Sequence, residues 1–571
     1  MYDPSARVYP PDWMSHIPYR ASTVTGRFKA RLCLEQDDSK TANQWINDDI
    51  RPLPPARRQW TAWTYAAFWL SWHVSLTNFT IGSSLVALGL SVWQVMLAII
   101  AGRLIIAAVA VAVGFIGADW HIGFPVYSRA LWGMRGSYIP MVQRILCGIV
   151  GIAVQSYLGG VCVTAVLSAI FPSFHRMPNT LTASANVTTK ELVGWLVFNL
   201  LSVPFLCARL ERKATIRVFV ALNAYSFFTL LGIMIWAVVR AGGGGQLLSQ
   251  GPLPNSNIGW GICKAITTVI GSIAVGLMSQ PDFTRFARTP GAQVTGQWTS
   301  ILLFGTLMPL LGCVTASATQ AIYGQPVWNP TEMALRWLEA DYSATSRAGA
   351  FFAGVGLMAC QLVVNTFENG FSAGMDLAGL APRFINIRRG ALLALTLAAA
   401  ACPWQLLTSA SVFLNVVSSY TIIVGPILGI QICDYWVLRR RRVQLSALYD
   451  PAPGAAYHYW HGFNWRTIIA WVVSWAPQLP GFVSAIDPSV SVPFGAAKLF
   501  DLSFLFGGAA GFLIYLGINL LFPPANLGVV DDGDVFEIFS DDEAVVRGVE
   551  VEVADKLPAE SRELAGKFAE V

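Results

Sequence analysis

The sequence predicts an all-α integral membrane protein of about twelve transmembrane helices, and three observations carry that expectation. Of 571 residues, 54% are hydrophobic and only 12% charged, where a soluble domain carries about 25% charged residues. Runs of roughly 20 apolar residues, enough to cross hydrocarbon as a helix, recur at approximately 62–85, 91–117, 140–170, 192–208, 216–239, 260–278, 297–322, 349–372, 391–407, 409–436, 466–484 and 501–521. Two of these runs are interrupted by small and polar residues five spans apart, which fits an inverted repeat of five spans plus five, followed by two more.

Residues 1–60 form a tail without the apolar segment of a cleavable signal, so the N-terminus is expected in the cytoplasm. Span one has the polar middle His73-Val74-Ser75-Leu76-Thr77-Asn78 ahead of Gly82-Ser83-Ser84. Span six carries Thr267-Thr268, then Gly271-Ser272 and Gly276. Interrupted helices expose backbone groups that bind ligands near the midplane of transporters, whereas small residues also permit ordinary close helix packing. Residues 61–436 are thus expected to hold a ten-helix core, 437–465 a cytoplasmic loop and 466–523 two additional spans.

Ionisable residues inside apolar spans are functional candidates because burying a charge in lipid is costly. They are Arg103, Arg144, Lys264 and Glu368. Arg144 and Lys264 lie near span ends, where long side chains snorkel to the interface. Arg103 is closer to mid-span, and the sequence names no partner for it. Glu368, between Asn365 and Asn369, fits a proton carrier or a contact for a cationic ligand, and equally a protonated packing residue. His73 lies inside a span and could titrate near neutral pH or serve as a hydrogen-bonded core residue.

Loops after even-numbered spans collect arginines, among them Arg129, Arg135, Arg285, Arg288 and the run Arg439–Arg442, which places them and both termini in the cytoplasm. The segment QPDFTRFARTP, residues 280–290, reads as a cytoplasmic exit from span six, although its arginines leave Gln280 and Asp282 unexplained. Residues 524–571 form an acidic tail. Residues 531–571 hold thirteen acidic and four basic residues, so the remainder carries a balance of +14 against +5 for the chain. The tails are expected to be disordered or locally folded, and to serve trafficking partners or simply be solvated. The nine scattered cysteines lack paired spacing and read as small apolar packers. A membrane enzyme would need a catalytic cluster. His458-Tyr459-Trp460-His461 is the nearest candidate, with no spaced carboxylates or nucleophile to complete it.

From about residue 44 to 450 the sequence resembles the nucleobase:cation symporters, in particular their Fur-like fungal branch of uracil and allantoin permeases. The resemblance is carried in order by NDDIRPLPPARRQW, GLSVWQ, GFPVYSRALWGMRGSY, VQSYLGG, QPDFTRFAR, FSAGMDLAGLAPRFINIRRG and GPILGIQICDYWVLRRRR. It implies a LeuT-type fold and alternating access, in a plasma-membrane transporter rather than an enzyme or nucleic-acid binder. It also implies that Gln155 and Asn369 hydrogen-bond a heterocyclic substrate, each amide supplying donor and acceptor. Family members stack the ring between two tryptophans, and the matching positions here are Gly151 and Ile273, so either Phe79, Tyr157 or Phe367 substitutes or the substrate is larger or less planar than uracil. Where sodium-coupled members place hydroxyl ligands, this chain has Val363 and Val364. Proton coupling is therefore expected, with no other cofactor, through Asp376, Glu368, Lys264 or His73. Two alternatives stay open: a cationic vitamin-type substrate such as thiamine or nicotinamide riboside, and a non-transporting receptor on the same fold.

Overall fold

The computed structural model describes residues 45–549, apart from residues 47–49, 209–212, 249, 251–257, 382–383, 408, 488 and 526. The far N-terminal tail and residues 550–571, with Cys33, Lys556 and Lys567, lie outside the described residues. Among those described, nine helices are long and apolar enough to cross a membrane. The expectation of twelve spans counts three further segments that the structure builds from shorter pieces.

Span one is two helices, α1 (Ala62–His73) and α2 (Leu76–Ala87). The chain continues through α3 (Val92–Trp120), the short α4 (Phe124–Trp132), α5 (Tyr138–Ile170), α6 (Thr189–Leu206) and α7 (Lys213–Ala241). Span six is broken into α8 (Ile258–Gly271), α9 (Ala274–Met278) and α10 (Gln280–Thr284). Then come α11 (Ala292–Tyr323), α12 (Pro330–Ala340) and α13 (Ala344–Val364), which runs through a π-turn at Asn365–Gly370 into α14 (Phe371–Leu380). Span nine, α15 (Ile387–Ala398), stops earlier than the apolar run suggests. Cys402 adopts a left-handed φ of 44° there, and Pro403, which has no N–H to donate, opens the next turn. The remaining helices are α16 (Ala410–Ile432), α17 (Trp465–Trp475), α18 (Leu479–Ile486), α19 (Phe494–Asp501), α20 (Ser503–Leu521) and α21 (Asp541–Arg547).

Both breaks fall where the polar interruptions predict. In span one the break is Val74-Ser75, and the Ser75 hydroxyl accepts from the Asn78 N–H to start α2. The Asn78 amide in turn donates to the carbonyls of Trp72 (3.2 Å) and His73 (3.4 Å), which the interruption frees. Arg103 of α3 closes the arrangement, donating to Asn78 Oδ1 at 2.5 Å and to the Gly305 carbonyl at 2.9 Å. This supplies the partner that the sequence left unnamed, and it is polar and uncharged. In span six the break is Ser272-Ile273. Trp72 fills the space that a side chain on Gly276 would occupy, so the two interrupted helices touch at their breaks.

The bundle packs α11 against α1, α2 and α3, packs α5 against α6 and α13, and packs α16 against α20. On the face holding the ends of α3 and α16, Asp434 accepts from Arg439 Nε (2.6 Å), Tyr127 (2.8 Å) and Tyr515 (2.9 Å), while Asp119 pairs with Arg441 (2.9 Å). Two arginines of the 439–442 run are therefore committed to structural ion pairs. The acidic segment folds back onto this face. Asp531 accepts from Ser446, Glu543 pairs with Arg58 at 3.2 Å, Arg547 donates to the Asp119 carbonyl at 2.6 Å, and Phe539 meets Trp120 edge-on. Burial pulls the Arg58 guanidinium down to about 10 against the opposing pull of Glu543.

Helices α2 and α11 cross at Gly82 and Gly312, where a β-carbon would overlap the Pro309 and Phe79 carbonyls respectively. Replacing Gly82 by Val is expected to destabilise the detergent-solubilised protein by about 1–3 kcal/mol or more, because backbone cannot move aside. The same change at Gly232, which has open space around it, serves as the control in a thermal unfolding comparison. Equal loss at both positions would refute the close-crossing argument.

Candidate substrate site

The two breaks open onto one cavity. Span one contributes Trp72 and Thr77 to its wall, and span six contributes Gly271, Ser272, Ile273, Val275 and Gly276. Helix α5 contributes Arg144, Gly151 and Gln155, the π-turn Glu368 and Asn369, and α16 Phe413 and Tyr420. The wall is largely apolar with a few polar groups converging on it, the usual character of a small-molecule site.

Gln155, Asn369, Gly151, Ile273 and Glu368 line this cavity. The Asn369 amide covers Gly151: a β-carbon there would lie 2.6 Å from Asn369 Oδ1. Gln155 donates to the Thr77 hydroxyl at 2.8 Å and accepts from Gln361 at 2.7 Å. Glu368 Oε1 is buried without a hydrogen-bond partner, as are both polar atoms of Asn365.

Phe79, Tyr157 and Phe367 stand off the cavity wall. Phe79 is fully buried among Leu76, Val154 and Met308. Tyr157 comes two residues after Gln155, about 200° round the helix, and packs near Trp404. Phe367 meets Phe219 edge-on at 4.5 Å. His73 is likewise off the wall, stacked on Trp69, and Lys264 lies half-buried on α8 away from the wall. The aromatic groups that do line the cavity, Trp72, Phe413 and Tyr420, went unselected in the sequence. Trp72 had a signal, since it immediately precedes the polar middle of span one. Tyr420 and Phe413 had none, since an aromatic residue inside an apolar run does not announce its face.

Arg144 does not snorkel. It is buried, and its guanidinium binds Asp376 through Nε at 2.5 Å and through Nη2. It also meets Asp282 at 2.9 Å and donates to Ser279 at 3.1 Å. Asp282 Oδ1 accepts from the Phe124 N–H, which starts α4. One arginine thus links α5 and α14 to the far half of span six, and this is what Asp282 in QPDFTRFARTP does. Asp376 takes part without lining the cavity, whereas Arg144 and Ser279 do line it. Val363 and Val364 are buried and offer no side-chain oxygen. The Val74 carbonyl, freed by the break in span one, accepts from the Cys360 thiol at 3.4 Å.

Comparison with known proteins agrees with this architecture. Residues 52–507 match the family described as permease for cytosine/purines, uracil, thiamine, allantoin. The chain is 45% identical to Transporter aclS of Aspergillus oryzae, with 91% of this chain and 94% of that protein covered. It is 31% identical to Nicotinamide riboside transporter 1 of Saccharomyces cerevisiae, over 92% and 88% of the two chains. The structure superposes with a TM-score of 0.65 on Mhp1, a nucleobase-cation-symport-1 family transporter in a closed conformation with bromovinylhydantoin bound. That match has 21% identity and covers 88% of this chain and all of the other. The fold is accordingly the LeuT-type helical bundle of Mhp1, and the protein is a multi-pass membrane transporter of the nucleobase:cation symporter family.

Proposed function

We propose that the protein is a plasma-membrane symporter that imports a nucleobase, allantoin or related heterocycle together with a proton, with both termini cytoplasmic. The observation that carries this reading is the convergence of two amides, Gln155 and Asn369, with Trp72 and Tyr420 on one cavity at the two helix breaks. Amides match the donors and acceptors on the edge of such a ring, and aromatic faces suit its plane. The basic loops support the orientation.

Proton coupling is supported by two features. The Val363 and Val364 side chains offer nothing to a sodium ion, which takes oxygen ligands, and the freed Val74 carbonyl is occupied by a thiol. In addition, Arg144 faces two carboxylates, Asp376 and Asp282. One guanidinium cannot neutralise both, and an unbalanced buried charge is costly, so the trio has room for one proton. In this reading, a proton on Asp376 weakens its hold on Arg144, and with it the tie that runs from α14 through Arg144 to span six.

Glu368 favours a second reading. A carboxylate with an unpartnered oxygen on the cavity wall suits a cationic heterocycle, and one relative is named for nicotinamide riboside.

Uptake of radiolabelled nucleobases, ureides and vitamins, at acidic and neutral external pH and with or without sodium, tests both readings. The first expects acid-stimulated accumulation that ignores sodium, and a sodium requirement would overturn the coupling. Gln155→Ala and Asn369→Ala are each expected to weaken substrate affinity roughly 10- to 100-fold, the effect of leaving a buried hydrogen-bonding edge unmet. Undiminished affinity in both would remove them from the site.

Asp376→Asn keeps hydrogen-bonding atoms beside Arg144 but cannot take up the proton. It is expected to retain substrate exchange across vesicles while losing accumulation against a gradient, and accumulation at the unaltered level would exclude Asp376 from coupling. Glu368→Gln separates the substrate readings. It should spare a neutral heterocycle and abolish uptake of a cationic one, whereas binding of label without accumulation by the unaltered protein would indicate a receptor.

A further inference from the structure

Gln361 of α13 is fully buried and does not line the cavity, yet its position sets what the cavity offers. Its Nε2 lies 3.2 Å from the Gln155 backbone carbonyl and 2.7 Å from Gln155 Oε1. A backbone carbonyl can only accept, so the Gln361 atom facing it is the amino end. Reversing that amide would set oxygen against two oxygens. The polarity passes outward: Gln155 holds its carbonyl oxygen toward Gln361 and turns its amino group to the Thr77 hydroxyl at 2.8 Å. One N–H of Gln155 is spent on Thr77, leaving the other for the cavity. The Thr77 oxygen, having accepted, is free to donate its own hydrogen.

We infer that Gln361 is a positioning residue that makes this corner of the site a pair of donors, and so selects a heterocycle presenting a carbonyl oxygen to α5 over one presenting an amino group. This rests on the transport reading above and deepens it by naming the polarity of the recognised edge. Without Gln361, the Gln155 amide can turn over and greet either group.

The test is competition for uptake by uracil against cytosine and by hypoxanthine against adenine, pairs in which a carbonyl is exchanged for an amino group. The unaltered protein is expected to favour the carbonyl member by roughly 10-fold or more, the cost of facing donor with donor. Gln361→Met and Gln361→Leu, which carry no donor, should bring the ratio close to one while leaving measurable uptake. A purely structural role would lower both members equally and leave the ratio intact, and that result in either variant overturns the inference while the transport reading stands. Preference of the unaltered protein for the amino members also overturns it. Failure of the unaltered protein to recognise any of the four overturns the inference and excludes a nucleobase as the substrate, while the uptake panel above decides whether another heterocycle is carried.

Discussion

A helix can stop inside hydrocarbon only where something other than water satisfies the backbone groups it releases, and this protein stops two helices there. The rest of the structure follows from how it does so. In span one, Asn78 covers the carbonyls of Trp72 and His73, and Arg103 holds Asn78 in place from the neighbouring α3. Among the described residues, the hydrogen-bond partners of Arg103 are the Asn78 amide and the Gly305 carbonyl, neither of them a carboxylate. By holding Asn78 over the released carbonyls, it supports the gap in the helix at Val74-Ser75 that opens onto the cavity.

A second arginine does related work on the other interrupted helix. Arg144 sits at the junction of α5, α14 and the far half of span six, held by Asp376 and touching Asp282. The bidentate fork of a guanidinium suits this place better than an ammonium, because it can face two carboxylates and a hydroxyl in one plane. Since Ser279 and Arg144 are also cavity residues, changes in the cavity and in the charge of the trio act on the same side chain. The guanidinium therefore belongs at once to the cavity wall and to the contact between α14 and span six.

How much of this was legible in the sequence depended on whether the signal was local. The breaks were legible because polar residues in an apolar run need a reason, and Gln155 and Asn369 because they stand in recognisable motifs. Arg144 was misjudged because its nearness to a span end suggested snorkelling. The partner that fixes it, Asp376, lies on another helix far along the chain, and no local pattern reports such a pairing. Tyr157 and Phe367 stand close in sequence to Gln155 and Asn369, but the helical period turns Tyr157 away and packing against Phe219 occupies Phe367. The run Arg439–Arg442 read as topological charge, whereas Arg439 and Arg441 tie α16 to its neighbours through Asp434 and Asp119.

The same geometry accounts for the absence of a large side chain at position 151. A large side chain at position 151 and the observed pose of Asn369 exclude each other, because even a β-carbon would lie 2.6 Å from the amide oxygen. The glycine therefore lets Asn369 lie flat against α5, and the aromatic contribution passes to other helices, with Trp72 at the span-one break and Tyr420 and Phe413 on α16. Trp72 in turn requires Gly276, whose missing side chain is the space the indole occupies. A ring bound here is faced by aromatic groups from spans one and ten rather than from spans three and six. Trp72, which faces the cavity, thus belongs to one of the interrupted helices itself.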